Sequence, residues 1–309
     1  MKKDFLSEYD LDREDFDRIF ERARHLKRLL KEGQAHATLK GKTLGMIFDK
    51  ASTRTRISFE AGMYQLGGIA LFLSSRDTQL GRGESIMDSA RIMSRYLDGL
   101  MIRTFSQAVV EEFAHYASIP VINGLTDLLH PCQILSDLFT IIEKRGYYEG
   151  LKIAYIGDGN NMANSWINAA ARLPFHLDLA CPDGYDPDEA ILKRGMAEAA
   201  AGVVLHRDPA EAVRDADVIY TDVWVSMGQE AEKEERLTRF HGYQVNEALV
   251  NQARKDVLVM HCLPAHRGEE ITAEVIDGPR SVIIDEAENR LHVQKTIMEL
   301  LLKSGENGG

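Results

Sequence analysis

"KTLGMIFDKASTRTRISFE", residues 42–60, holds a fold decision in nineteen residues. The stretch 42–48 is mostly apolar and reads as a strand. The far end reads as a helix, with Ile57, Ala61 and Tyr64 on the helical period until Gly67 and Gly68 stop it. Between them stand three hydroxyls, Ser52, Thr53 and Thr55, and two guanidiniums, Arg54 and Arg56. A helix start exposes unpaired backbone N–H groups and the positive end of a dipole. Ser52 or Thr53 can cap it. With hydroxyls and a forked cation added, the turn suits a phosphate group. The plainer reading is a capped helix with solvated arginines. A strand leading straight into such a turn favours the first, because open α/β sheets bind ligands at their carboxyl ends.

The same alternation runs outward in both directions. Upstream, "DREDFDRIFERARHLKRLLKEG" is an amphipathic helix ending at Gly33. Downstream, strands are predicted at 69–75, 99–103 and 119–124, with a polar loop at 77–85 and a helix around "IMDSARIMSRYL". A second series follows at 151–157, 176–182, 217–224, 256–262 and 281–287. Strands separated by helices predict parallel sheets covered on both faces. The helical run 131–146 separates the two series and reads as the link between two α/β domains. The final helix, "RLHVQKTIMELLLK", is expected to return to the first. The domains are therefore expected at 1–135 plus 290–309 and at 136–289.

Composition sets limits. The 309 residues suffice for two ordinary domains, and 44% apolar with 28% charged content suits globular cores. The net charge of −11 argues against a nucleic-acid or anionic-membrane surface while leaving room for a local basic pocket. The charged start "MKKDFLSEYDLDREDF" has no signal-peptide core, and no apolar run approaches the roughly 20 residues of a membrane span. Cys132, Cys181 and Cys262 are widely spaced with no CxxC, so neither a disulfide framework nor a zinc knuckle is expected; a reducing cytoplasm fits.

Further motifs stand at predicted strand ends and helix starts. Arg103 ends a strand, and His130 opens "HPCQ" just before a helix. His130 is a donor of tunable pKa, although histidine before proline is commonly a turn residue. "GDGNN" (157–161) follows a strand like a dinucleotide fingerprint, yet Met162 occupies the third small position and speaks against that reading. Asn160 and Asn161 instead suit hydrogen bonds to a small zwitterion. "DVWVSMG" (222–228) offers Asp222 for an ammonium group, then Ser226 and Met227 in a loop. "HCLPAHRGEE" (261–270) sets Cys262 at a strand end, and "EAENR" sets Arg290 before the last helix. Each has an ordinary reading: a turn, a cap, an inert core cysteine, a surface ion pair.

Together, "STRTR…SFE", "QLGRGE", "HPCQILSD", "GDGNN", "DVWVSMG", "HCLPAHRGEE" and "EAENR" resemble the ornithine carbamoyltransferases of the aspartate/ornithine carbamoyltransferase superfamily, in order and over nearly the whole chain. "STRT" with "HPxQ" marks the broader group. "SMG" and "HCLP" mark the ornithine branch, whereas relatives acting on aspartate usually carry "HPLPR" in the last position. The resemblance implies an α/β fold of two domains, each a parallel sheet flanked by helices, with the active site in the cleft between them.

It also implies a reaction: the carbamoyl group of carbamoyl phosphate passes to the δ-amine of L-ornithine, giving L-citrulline and phosphate without metal or organic cofactor. By similarity, Ser52, Thr53, Arg54 and Thr55 hold the phosphate. Arg103, His130 and Gln133 approach the carbamoyl group. Cys262, Leu263 and Arg290 match further carbamoyl phosphate contacts, and Gln79 matches one that the family supplies from a neighbouring subunit of a trimer. Asn161, Asp222, Ser226 and Met227 match the ornithine positions. Arg103, His130 and Cys262 are the expected catalytic residues. The chief alternative is a carbamoyltransferase for putrescine or a modified ornithine. A nicotinamide-dependent dehydrogenase and a non-catalytic sensor are the readings from other classes, opposed by Met162 and by the intact Arg103, His130 and Cys262.

Overall fold

The strand read at 42–48 is β1, Thr43–Phe48, and it runs through a short turn into α2, Thr53–Gln65. Every residue from Leu44 to Phe48 is buried, as expected for a strand covered on both faces. The computed structural model describes residues 4–74, 83–226 and 230–303. It divides into two units, Met1–Ser136 with Glu288–Gly309, and Asp137–Ala287.

In the first unit β1 is joined by β2 (Ile69–Ser74), β3 (Gly99–Arg103) and β4 (Val121–Leu125) in a wholly parallel sheet of order β2-β1-β3-β4. Its helices are α1 (Arg13–Lys31), α2, α3 (Ile86–Tyr96) and α4 (Gln107–Tyr116), with α5 (Pro131–Arg145) beginning there. Ile47, Leu100, Ile102, Val110, Phe113 and Val121 form one core between sheet and helices. The chain steps from β1 outward to β2, then returns to lay β3 on the other side of β1. That reversal opens a crevice at the carboxyl ends of β1 and β3. The Ser52–Thr55 turn follows one of these strands and Arg103 ends the other.

The second unit contains β5 (Lys152–Ile156), α6 (Asn161–Arg172), β6 (His176–Ala180), α7 (Glu189–Glu198), β7 (Val203–His206), α8 (Pro209–Val213) and β8 (Val218–Thr221). There follow α9 (Lys233–Phe240), α10 (Glu247–Val250), β9 (Leu258–His261), α11 (Ala273–Ile276) and the start of α12 (Ile283–Lys303). All its strands are parallel in the order β7-β6-β5-β8-β9. The switch point lies between β5 and β8. "GDGNN" leaves the first of these strands and Asp222 follows the second.

Two expectations need correction, and one strand went unread. The segment 281–287 is not a strand: only Ser281 bridges to Val259, and α12 begins at Ile283. A short apolar run is ambiguous between strand and buried helix, and here the helix-forming residues after it prevail. Arg290 consequently lies inside α12 rather than before it. The edge strand β7, four residues long, carries too little pattern to have been read. The later part of α12 packs in the first unit. A Cβ on Gly62 would stand 2.9 Å from Met298 Cε, and one on Gly99 would stand 2.9 Å from Leu302 Cδ1.

Candidate active site

At the first crevice, Ser52 caps α2 by accepting the Thr55 N–H at 3.2 Å. Thr53 is exposed, Ser52 and Arg54 are half-buried, and Thr55 is buried. The Thr55 hydroxyl accepts from Arg290 Nη2 at 2.8 Å, and Arg290 Nη1 donates to Gln133 Oε1. Three expected residues, drawn from α2, α5 and α12, thus form one hydrogen-bonded group. Arg103 and His130 are also buried. His130 is held well below the ordinary histidine range, first by burial and then by the positive charges of Arg290, Arg103 and Arg54. It is therefore neutral at pH 7, in surroundings that favour negative charge.

The strand end is braced by residues that no motif announced. The Asp49 N–H donates to the Arg103 carbonyl at 2.9 Å, and the Thr104 hydroxyl donates to the Asp49 carboxylate. Lys50 is buried, paired with Asp127 and 4.5 Å from the Phe105 ring. Arg56, which the sequence offered as a second anion-binding cation, is engaged elsewhere. Its Nε donates to Glu60 at 2.9 Å, and its guanidinium lies 4.0 Å from the Phe72 ring.

At the second crevice, Asn160 rather than Asn161 caps α6, its Oδ1 accepting from Met162 N at 2.9 Å. The Asn160 Nδ2 donates to Asp222 Oδ2 at 2.8 Å. The other oxygen of Asp222 accepts the Cys262 thiol at 3.0 Å and the Val223 N–H at 2.8 Å. Asp222 is 6% exposed. Burial, then Asp222, pushes the Cys262 thiol well above its ordinary range. The structure thus joins Asp222 to Cys262 and to the start of α6, where Asn161 is half-buried, as is Ser226. Gln79 and Met227 lie outside the described residues.

The glycines of "GDGNN" are explained without a dinucleotide. Gly157 has φ +138°, and a Cβ on Gly159 would stand 2.2 Å from the Asp186–Pro187 backbone. The second glycine is there because another chain segment passes against it.

His261 sits behind Cys262 with both ring nitrogens engaged. Nδ1 accepts the Leu263 N–H at 2.9 Å, and Nε2 pairs with the buried Glu270 at 3.0 Å. Among the described residues, Asp222, His261 and Cys262 bring oxygen, nitrogen and sulfur within 4.8 Å of one another, as His266, Glu269 and Glu270 bring their own ligand atoms. A metal at the first group would have to displace the Leu263 or Glu270 hydrogen bond. No helix of the described residues is long and apolar enough to cross a membrane.

Comparison with known proteins identifies the family. Residues 3–143 match the family described as the carbamoyl-P binding domain of aspartate/ornithine carbamoyltransferase, and residues 149–301 match its Asp/Orn binding domain. The ornithine carbamoyltransferase of Syntrophus aciditrophicus is 75% identical over 302 residues, 98% of this chain and 100% of that one. That of Geobacter sulfurreducens is 58% identical over 303 residues, again 98% and 100%. The solved ornithine carbamoyltransferase from Pyrococcus furiosus superposes with a TM-score of 0.94 at 52% identity, over 97% of each chain.

Proposed function

The chain belongs to the aspartate/ornithine carbamoyltransferase family, and from that premise we propose that it transfers the carbamoyl group of carbamoyl phosphate to the δ-amine of L-ornithine, yielding L-citrulline and phosphate. The observation that carries this reading is the convergence of Arg290, Arg103 and Arg54 on His130, which burial first and these charges second keep uncharged. Such a cluster suits a dianionic phosphate. A neutral imidazole keeps one N–H with which it can donate a hydrogen bond to a carbonyl.

The chemistry follows from these groups. The amine nitrogen of ornithine attacks the carbamoyl carbon, forming a C–N bond and a tetrahedral oxyanion. Arg103 and His130 stabilise that oxygen; losing one such donor costs about 10²–10³ in rate. The carbon–oxygen bond to phosphate then breaks, Arg54 and the α2 N-terminus offset the growing charge, and a proton from the nitrogen passes to the leaving phosphate. Asp222, with Asn161, Ser226 and Met227, holds the amino-acid substrate. Cys262 acts as a neutral donor toward Asp222 rather than as a nucleophile, because burial and the adjacent carboxylate both oppose the thiolate that a thioester route requires. Direct attack is therefore the favoured route, and the family resemblance implies that it takes place in a ternary complex with carbamoyl phosphate bound first.

The same reading includes a homotrimer in a reducing cytoplasm and a place in amino-acid biosynthesis. Three free cysteines support the compartment. The edge strand β2 and its neighbours support assembly: Ile69, Leu71, Phe72 and Tyr64 are exposed, Tyr64 by 82%.

The test is citrulline-type product formation with ornithine, putrescine, aspartate and N-acetylornithine in parallel. Ornithine alone is expected to turn over efficiently. The amine must be neutral, and its pKa lies near that of lysine, about 10.4, so kcat/KM for ornithine should rise about tenfold per pH unit on the way to it. A flat profile from pH 6 to 9, or a preference for putrescine, overturns the reading.

A further inference from the structure

Two segments carry the expected amino-acid-binding residues of the second unit. One is the Gly157–Asn161 turn, the other the segment Asp222–Ser226. They are tied at one point by Asn160 donating to Asp222 at 2.8 Å. A second tie comes from outside both. Arg236, on α9, places Nη1 3.0 Å from Asp158 Oδ2 and 2.9 Å from the Trp224 carbonyl. Its Nε donates to Glu232 at 2.9 Å, and its guanidinium stands 4.9 Å from the Tyr185 ring. The Arg236 and Asp158 side chains are only 7% and 8% exposed. The surroundings are apolar: Phe240 packs on Tyr185, Trp224 and Tyr243. An apolar side chain would fill this place without the cost of burying a charge. A guanidinium does what an apolar group cannot, holding a backbone carbonyl and a carboxylate in fixed relation.

We propose that Arg236 is a positioning residue for the amino-acid substrate, fastening the Asp222–Ser226 segment to the Gly157–Asn161 turn so that both present one shaped surface to the substrate's α-amino-acid head. The inference rests on the ornithine reading above and adds a residue that the resemblance does not name.

The tie is pH-sensitive. Asp158 faces Arg236, Asp222 and Glu232, and Tyr155 donates to its backbone carbonyl at 2.8 Å. Burial, aided by Asp222 and Glu232 and opposed by Arg236, lifts its carboxyl to about 6. The carboxylate that grips Arg236 is thus complete above that pH and is lost as pH falls through it.

The test uses L-norvaline, which carries the amino-acid head without the δ-amine and so binds without reacting. Its affinity is measured calorimetrically on the full-length protein saturated with carbamoyl phosphate, from pH 5 to 8. Arg236→Met should weaken norvaline and raise KM for ornithine about tenfold or more, as a small misplacement does, with KM for carbamoyl phosphate unchanged. Arg236→Lys should recover part of the loss. Wild type should lose norvaline affinity below pH 6. Asp158→Asn, which still accepts a hydrogen bond but does not titrate, should be flat across that range. Arg236→Met binding norvaline as wild type does, or Asp158→Asn keeping the wild-type pH step, overturns the inference and leaves the enzyme assignment standing. A wild type that makes no citrulline refutes the assignment itself.

Discussion

At the scale of the residue, Cys262 decides between two chemistries. Its thiol donates to Asp222, and the carboxylate in turn opposes ionisation. A serine hydroxyl can make the same donation. Cys262→Ser should therefore raise KM for ornithine while keeping turnover within about tenfold, because a neutral donor is replaced by a neutral donor. Steady-state kinetics checks this; complete loss, with a carbamoyl-enzyme trapped in wild type, would establish the thioester route instead. The residues proposed for the ligands stood out in the sequence because each carries an unusual side chain at a strand end or helix start. Their supports were not. Asp158 and Arg236 are 78 positions apart, and Glu270 and His261 meet only because β9 ends where it does. Arg56 shows the opposite error, a conspicuous cation that the fold assigns to Glu60 and Phe72.

At the scale of the element, α12 is the clearest departure from expectation. Its first residues are apolar and β-branched, which reads as a strand, while its later residues settle it as a helix. The parallel strands buried on both faces were visible as apolar runs, whereas the four-residue edge strand β7 was not. The later part of α12 is anchored by Glu299, which accepts from Arg22 at 2.6 and 2.8 Å and from Lys303 at 2.6 Å. Burial alone would raise the Glu299 carboxyl, but these hydrogen bonds hold it down at about 2. With the folded pKa below the unfolded 4.5, the stabilisation is complete above 4.5 and is lost as pH falls toward 2. Glu299→Gln should cost about 1–3 kcal/mol in denaturant melts at pH 7. The gap between wild type and variant should shrink as the pH is lowered through that window; a gap independent of pH would show that the ion pair contributes nothing.

At the scale of the whole molecule, the apolar surface around β2 asks for a partner. Leu71 and Phe72 lie on an edge strand, where open backbone groups and apolar side chains invite association. If three copies close there, Leu71→Glu should shift sedimentation from trimer to monomer at micromolar concentration. Activity should fall with the assembly, since the Gln79 match implies a contribution from a neighbouring subunit. A monomeric variant with full activity would separate the catalytic site from the oligomer. The order of the chain has a consequence of its own. Asp137–Ala287 is a continuous insertion, whereas the unit around it needs both ends of the chain. Gly62 and Gly99 are shaped to receive Met298 and Leu302. A chain cut after Ala287 would keep the inserted unit entire and leave the earlier one without its closing helix. Such a chain would have the amino-acid-binding half complete and the phosphate-binding half open, without Arg290 to meet Thr55 and Gln133. The half translated first would be the half finished last.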